Sequence, residues 1–218
     1  MIIKGRPLSN LLFKLVTSLI GIILEARFNK IVIKPIEIKE GHSYLLMCNH
    51  FSFLDGAMAL YLSKKVFATN DRLKTFQVMV LKGQMKKRKW LKYLGGFSVA
   101  PGSRSINESL AHAREVLSKP GNLLLLYPQG NLESMYVRKI VFQDGINQIL
   151  PRVEGDCQII WTSILIEYFE SFKPSLHFSM LDCGTNSDFD FDTITNRVNA
   201  YHETAMKRQF RFTNEDEK

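Results

Sequence analysis

Five short apolar runs, each closed by a polar or glycine-bearing turn, do most to limit what this 218-residue chain can become. They are Tyr44-Leu45-Leu46-Met47-Cys48, Thr75-Phe76-Gln77-Val78-Met79-Val80, Leu123-Leu124-Leu125-Leu126-Tyr127, Ile159-Ile160-Trp161-Thr162-Ser163-Ile164-Leu165-Ile166 and Leu176-His177-Phe178-Ser179-Met180-Leu181. Runs this short and this apolar are what strands in a buried sheet look like. Helical patterns over residues 56–63, 107–117 and 193–209 are interspersed with them, which predicts one α/β domain with a full core. Residues 31–34 and 36–39 alternate like two further strands around Pro35, and residues 214–218 read as a frayed tail. There is no internal repeat and no interdomain linker.

The first run continues into Asn49-His50-Phe51-Ser52-Phe53-Leu54-Asp55-Gly56, at a strand-to-helix junction. A turn there can bring His50 and Asp55 together. The carboxylate then holds one ring nitrogen and leaves the other free to take a proton from a hydroxyl or amine. No nucleophilic side chain completes a triad, so the substrate has to supply the nucleophile. The same residues also have a structural reading. Ser52-x-x-Asp55 matches a helix capping box, with Ser52 as N-cap. Cys48, on the same strand face as His50, admits a Cys–His acyl-enzyme, although a buried strand cysteine is the commoner state.

A net charge of +8 calls for a polyanionic partner: nucleic acid, an anionic bilayer, or an acidic or phosphorylated substrate. Three cysteines, odd in number, point to free thiols in a reducing compartment. The five histidines are scattered and no Cys-x2-Cys pair occurs, so no metal site is expected. In residues 8–25 the polar positions Asn10, Lys14, Thr17, Ser18, Gly21 and Glu25 fall along one helical side, with Leu11, Leu12, Leu15, Leu19, Ile22 and Ile23 filling the other. Its apolar core is shorter than the roughly 18–20 residues that span a bilayer. It reads either as a helix docked on the core or as one lying in a membrane interface. The densest basic run, residues 82–89, carries an aromatic flank in Trp90 and Tyr93 that suits a bilayer interface at least as well as a phosphodiester backbone.

Two glycine-bearing turns follow apolar runs. Gly96-x-Ser98-x-Ala100 approaches a nucleophile elbow, but Pro101-Gly102 stops the chain where the elbow's helix would begin. Pro128-Gln129-Gly130-Asn131 follows the Leu123 run, and its glycine permits close backbone approach to a ligand.

Four blocks thus stand in order: Asn49-His50-x4-Asp55, Gly96-Phe97-Ser98-Val99 near Arg104, Tyr127-Pro128-Gln129-Gly130, and the apolar strand at Trp161. Together they resemble the glycerolipid (lysophosphatidate-type) acyltransferase family, in which N-H-x4-D precedes a glycine–apolar–arginine block and an F-P-E-G-T block. The resemblance covers residues 31–185. It implies a central mixed sheet flanked by helices, with residues 1–30 as an N-terminal amphipathic membrane-interface helix and 31–218 as the catalytic domain. It implies transfer of a fatty acyl group from an acyl-CoA or acyl-carrier-protein thioester to a hydroxyl of a lysolipid or related lipid, with no metal or redox cofactor. His50 is then the general base and Asp55 its orienting partner. Asn49, Ser52, Arg104, Gln129, Gly130, Asn131 and Arg138 are the substrate-binding candidates. Backbone N–H groups near Gly130 or beside His50 are candidates for an oxyanion hole. The expected location is the cytoplasmic face of the inner (plasma) membrane, held peripherally on an anionic surface, with no nucleic-acid partner.

The chain departs from the family pattern where phosphate recognition is concerned. Gln129 replaces glutamate, Asn131 and Leu132 stand where threonine and often arginine are found, and the second block's arginine falls on or near Pro101. Neither Pro101 nor Leu132 can grip a phosphate as an arginine fork does. Arg104 and Arg138, with Lys82 behind them, are the available substitutes. A thioesterase or lipid hydrolase using the same base, and a non-catalytic basic module binding membrane or nucleic acid, are the alternative readings.

Overall fold

The computed structural model describes residues 1–68, 72–169 and 171–209, so the tail at 214–218 lies outside the described residues. Its strands are β1 Lys30–Lys34, β2 Ser43–Cys48, β3 Thr75–Leu81, β4 Gly96–Val99, β5 Asn122–Leu126, β6 Cys157–Glu167 and β7 Ser175–Thr185. They form one seven-stranded sheet in the order β1-β7-β6-β2-β5-β3-β4. The strands β6, β2, β5, β3 and β4 are mutually parallel, β7 is antiparallel to β6, and β1 is parallel to β7. The sheet is therefore mixed, as expected.

Helices α1 Asn10–Arg27, α2 Asp55–Val66, α3 Lys82–Lys87, α4 Ile106–Leu117, α5 Gly145–Ile149 and α6 Phe191–Lys207 complete the fold. The strand period of two divides the core between the two faces. Tyr44, Leu46 and Cys48 of β2 pack with residues of α1 and α2, while Leu45 and Met47 pack with residues of α4, α5 and α6. The chain leaves β2 through α2 on the first face, and leaves the adjacent β5 through α5 on the second. Neighbouring parallel strands whose connections part in this way open a crevice above their carboxyl ends. That crevice receives residues 49–55 from one strand and 127–130 from the other.

One sequence expectation is corrected. Residues 36–39 do not form a strand. Their backbone is held instead by one side chain: Gln158 accepts the Lys39 N–H (3.0 Å) and donates to the Glu37 carbonyl (2.9 Å). The buried amide thus takes the place of a ladder partner. Helix α1 docks on the core through its polar side. Phe13, Thr17, Gly21 and Leu24 are buried, while Leu11, Leu15, Leu19 and Ile22 are 58–70% exposed.

The polar side of α1 works as a seam with α2. The Thr17 hydroxyl is satisfied by the Phe13 carbonyl (2.6 Å). Gly21 leaves room for the Tyr61 ring, which lies 3.6 Å from where a Cβ would stand. Lys64 donates to Ser18 (2.7 Å), and Glu25 meets Lys65 at 3.6 Å. Small and paired residues allow this close approach, so the bulky aliphatics are left facing outward. Among the described residues no helix is long and apolar enough to cross a membrane.

Two histidines lie in the core-facing layer of α4 and α6. Burial pushes the imidazoles of His112 and His202 down from their ordinary value, with Lys4 adding to the effect at His112. The unfolded chain therefore binds more protons than the native one just below the ordinary histidine pKa of about 6.5. Stability is full above that pH and falls as pH drops towards the depressed native values. The melting temperature, followed by circular dichroism from pH 7.5 to 5, should decline on the acid side, and His202→Gln should flatten that decline.

Candidate active site

The end of β2 is fixed before the site begins. Asn49 is 2% exposed and makes a two-way bond with Ile164 of β6: its Oδ1 accepts the backbone N–H (2.7 Å) and its Nδ2 donates to the carbonyl (2.9 Å). It holds the strand end in place and does not open onto the crevice. The next residue, His50, comes out at the sheet edge with its side chain 25% exposed.

Asp55, the first residue of α2, turns its carboxylate back over the loop. Its Oδ2 accepts from His50 Nδ1 (2.8 Å), from the Phe51 N–H (2.8 Å) and from the Ser52 N–H (2.9 Å). The side chain is fully buried. A buried carboxylate is tolerable only when donors surround it. These three donors fix the tautomer as well as the position. Nδ1 carries the proton, and Nε2 is left with its lone pair.

No capping box forms. Leu54, not Ser52, is the N-cap of α2, and the Ser52 hydroxyl accepts from the Leu54 N–H at 3.1 Å. Asp55 stands three positions after Ser52, as the box requires, but the loop turns so that the carboxylate meets the N–H groups before the helix, not those inside it.

The loop after β5 closes the other wall. The Tyr127 ring stacks on His50, with centroids 4.1 Å apart and planes inclined by 21°. Its phenol is pushed well above its usual range by desolvation and then by the nearby Cys48 and Asp55, so it remains protonated. Gly130 adopts φ +74, and a Cβ there would stand 3.2 Å from Gln143 Cγ. The left-handed backbone is what favours glycine there.

Gln129 is 3% exposed and acts on His50 directly: its Oε1 accepts the His50 N–H at 2.8 Å. Its amide nitrogen donates to the Glu133 carboxylate, and the Glu133 N–H donates to the His50 carbonyl at 2.8 Å. Both backbone groups of His50 are thereby held by the loop after β5. Glu133 was not foreseen from the sequence, and the only signal available was its i,i+4 spacing from Gln129.

The remaining candidates lie further out. Asn131 and Arg138 are exposed on the same loop. Arg104 is exposed on the turn after β4, three strands from β2, or about 14 Å at ordinary strand spacing. Lys82 donates to the Met1 carbonyl at 2.9 Å. The backbone N–H groups of His50, Phe51, Ser52 and Gly130 are all engaged within the protein, that of Gly130 by the Tyr127 carbonyl at 3.1 Å. An oxyanion hole built from those four would first have to break these bonds.

The two serine and cysteine alternatives also have defined places. Ser98 lies inside β4, 1% exposed, and its hydroxyl accepts the Ile3 N–H at 2.8 Å, so it forms no elbow. Cys48 is completely buried. Desolvation, and then the Asp55 charge, pushes its thiol well above the usual range. A thiol in that state is a poor nucleophile.

A histidine–aspartate pair thus stands at the carboxyl edge of a mixed α/β sheet. The fold is similar to that of a solved structure, the 1-acyl-sn-glycerophosphate (LPA) acyltransferase, PlsC, from Thermotoga maritima, with a TM-score of 0.65. The likeness covers 93% of this chain and 82% of that one at 14% sequence identity, and it establishes a common fold. No protein-family model matches the sequence, and no curated protein matches it.

The Gln129–Glu133 contact gives a prediction that needs no assay of activity. Gln129→Glu would set two carboxylates against each other in a half-buried site, which carries a cost in stability. The melting temperature should fall for Gln129→Glu and for Glu133→Gln separately. The double variant, which restores one carboxylate and one amide, should recover most of the loss.

Proposed function

We propose that the protein is an acyltransferase that moves a fatty acyl group from an acyl-CoA or acyl-carrier-protein thioester to a hydroxyl of a lysolipid or related lipid. The observation that carries this reading is the His50–Asp55 pair at the sheet's carboxyl edge, with Nδ1 held at 2.8 Å by the buried carboxylate and the His50 side chain 25% exposed. The common fold with a protein described as an LPA acyltransferase supports it.

In this mechanism Nε2 takes the proton of the acceptor hydroxyl as its oxygen attacks the thioester carbonyl carbon. The tetrahedral intermediate collapses with cleavage of the carbon–sulfur bond. The leaving thiolate receives the proton from His50, and the cycle closes without a covalent enzyme intermediate. Asp55 stabilises the imidazolium that forms between the two steps. General-base help of this kind is worth about 10²–10⁴ in rate. The absence of an arginine at Pro101 and Leu132 favours an acceptor other than a simple glycerol phosphate.

Membrane attachment belongs to the same reading. Beside the crevice, Phe53, Leu54, Trp90 and Leu132 are 48–57% exposed. Phe53 joins the His50 loop to the basic run, edge-on to Trp90 (centroids 6.3 Å) and beneath the Arg88 guanidinium (4.0 Å). Apolar side chains ringed by cations fit an anionic lipid surface, and burying each large aliphatic of α1 in it is worth up to about 1.5–3 kcal/mol. The reading places the protein peripherally on the cytoplasmic face of the inner membrane.

Two experiments test these statements. Mass spectrometry of lipids from cells expressing wild type, His50→Ala or Asp55→Asn should show a lipid gaining one acyl chain only with the wild type. Asp55→Asn keeps an oxygen for the backbone N–H groups but disturbs the tautomer, and should lower kcat by about 10²–10⁴. Identical lipidomes with all three proteins folded would sink the proposal, and free fatty acid released in place of an acylated lipid would make the protein a hydrolase. For the membrane, replacing Leu15, Leu19 and Ile22 together by glutamate should reduce flotation with anionic vesicles at least tenfold while leaving the melting temperature in place. Undiminished flotation would remove α1 from the contact surface.

A further inference from the structure

Helix α6 grips the loop after β5 at two points. Asn199 makes a two-way bond with Ile140: its Oδ1 accepts the backbone N–H (2.6 Å) and its Nδ2 donates to the carbonyl (3.0 Å). One turn further along α6, His202 Nε2 lies 3.2 Å from the Val137 carbonyl. His202 Nδ1 is 2.9 Å from Ser163 Oγ, which is itself 2.9 Å from Trp161 Nε1.

The two ends of this chain set its direction. An indole N–H can only donate, and a carbonyl can only accept. Trp161 therefore donates to Ser163, Ser163 to His202, and His202 to Val137. Trp161, Ser163 and His202 are all fully buried. A relay anchored inside β6 thus ends on one backbone carbonyl of an outer loop.

Between the two anchored residues stand Arg138 and Lys139, both exposed. Neither forms an ion pair with an acidic group among the described residues. The same loop is tied to the catalytic histidine at Glu133, whose N–H binds the His50 carbonyl. Arg138 and Lys139 stand five and six residues beyond Glu133, so their backbones lie at most about 18 and 22 Å from it.

The structure assigns Asn199 and His202 a positioning role: they hold residues 137–140 so that Arg138 and Lys139 stand ready to bind a phosphate group of one of the two substrates. The assignment rests on the acyltransferase reading and supplies the anion contact that Pro101 and Leu132 cannot make. The phosphate belongs either to the acceptor headgroup or to the phosphopantetheine or nucleotide part of the donor. Ordering the loop before the substrate arrives removes that ordering from the cost of binding.

The test combines proteolysis with kinetics on the full chain. Trypsin can cut after Arg138 or Lys139 only once the segment leaves its anchors. Asn199→Ala and His202→Leu should each speed that cleavage about tenfold, whereas His202→Gln, which keeps one acceptor and one donor, should restore protection. In acyl-transfer assays Asn199→Ala should raise the KM of the phosphate-bearing substrate about tenfold with kcat changed less than about twofold. A rise in the acceptor's KM or in the donor's KM says which phosphate is bound. The pair Arg138→Ala with Lys139→Ala should do the same, and joining it to Asn199→Ala should add little, because both remove one contact. Unchanged cleavage overturns the clamp, with or without acyl transfer. Faster cleavage with both KM values unchanged, or fully additive effects, overturns the phosphate role. Faster cleavage in a protein that transfers no acyl group in wild-type form upholds the clamp and removes the reading beneath it.

Discussion

The carboxylate of Asp55 is the contact on which the rest of the site depends. It is fully buried, and a single oxygen gathers His50 Nδ1 and two backbone N–H groups at 2.8–2.9 Å. Hydrogen bonds to a charged group contribute about 1.5–3 kcal/mol each, enough together to hold a buried charge and to define the loop. The same three bonds hold the loop ahead of α2, aim the imidazole and fix its tautomer. Folding and the placement of the His50 ring are therefore one event at this point: the loop cannot relax without releasing the imidazole.

His50 is held from its backbone as firmly as from its ring. Gln129 takes its N–H, the Glu133 N–H takes its carbonyl, and Tyr127 covers its face. These three residues come from the loop after β5, which closes on itself where the Gln143 N–H meets the Pro128 carbonyl at 2.8 Å. A loop of sixteen residues with joined ends and internal packing is an Ω-type loop, rigid enough to carry functional groups. The strand order makes this possible, since β2 and β5 are adjacent and their connections part to opposite faces.

What was legible in the sequence follows from the range of the interactions concerned. The buried strands showed as apolar runs because both faces of the sheet are covered, and the His50–Asp55 contact showed because a five-residue spacing across one turn is local. The facing of α1 did not show. Leu11, Leu15 and Leu19 read equally as a side docked on the core or one facing a membrane, and the helix docks through Thr17 and Gly21, where size and internal hydrogen bonding matter more than hydropathy. Residues 36–39 carried a correct strand pattern but met a glutamine side chain from β6 in place of a partner strand. Asn49 and Gln129 read as groups awaiting a substrate. They proved to be braces, because their partners, Ile164 and the His50 backbone, come into reach only once the sheet is assembled.

Gln129 shows how a departure from a family pattern can carry physical sense. A glutamate there would offer His50 the same acceptor oxygen, but it would face Glu133 with a second negative charge in a site largely shielded from water. An amide accepts on one side and donates on the other, so it joins the His50 N–H to the Glu133 carboxylate without repulsion. Glu133 in turn keeps its own backbone N–H on the His50 carbonyl. The amide and the carboxylate four residues on are thus best regarded as one unit. Within it the negative charge sits on the outer residue and the neutral group sits next to the histidine. That order keeps a second carboxylate away from the buried Asp55 charge, which already occupies the other side of the same histidine.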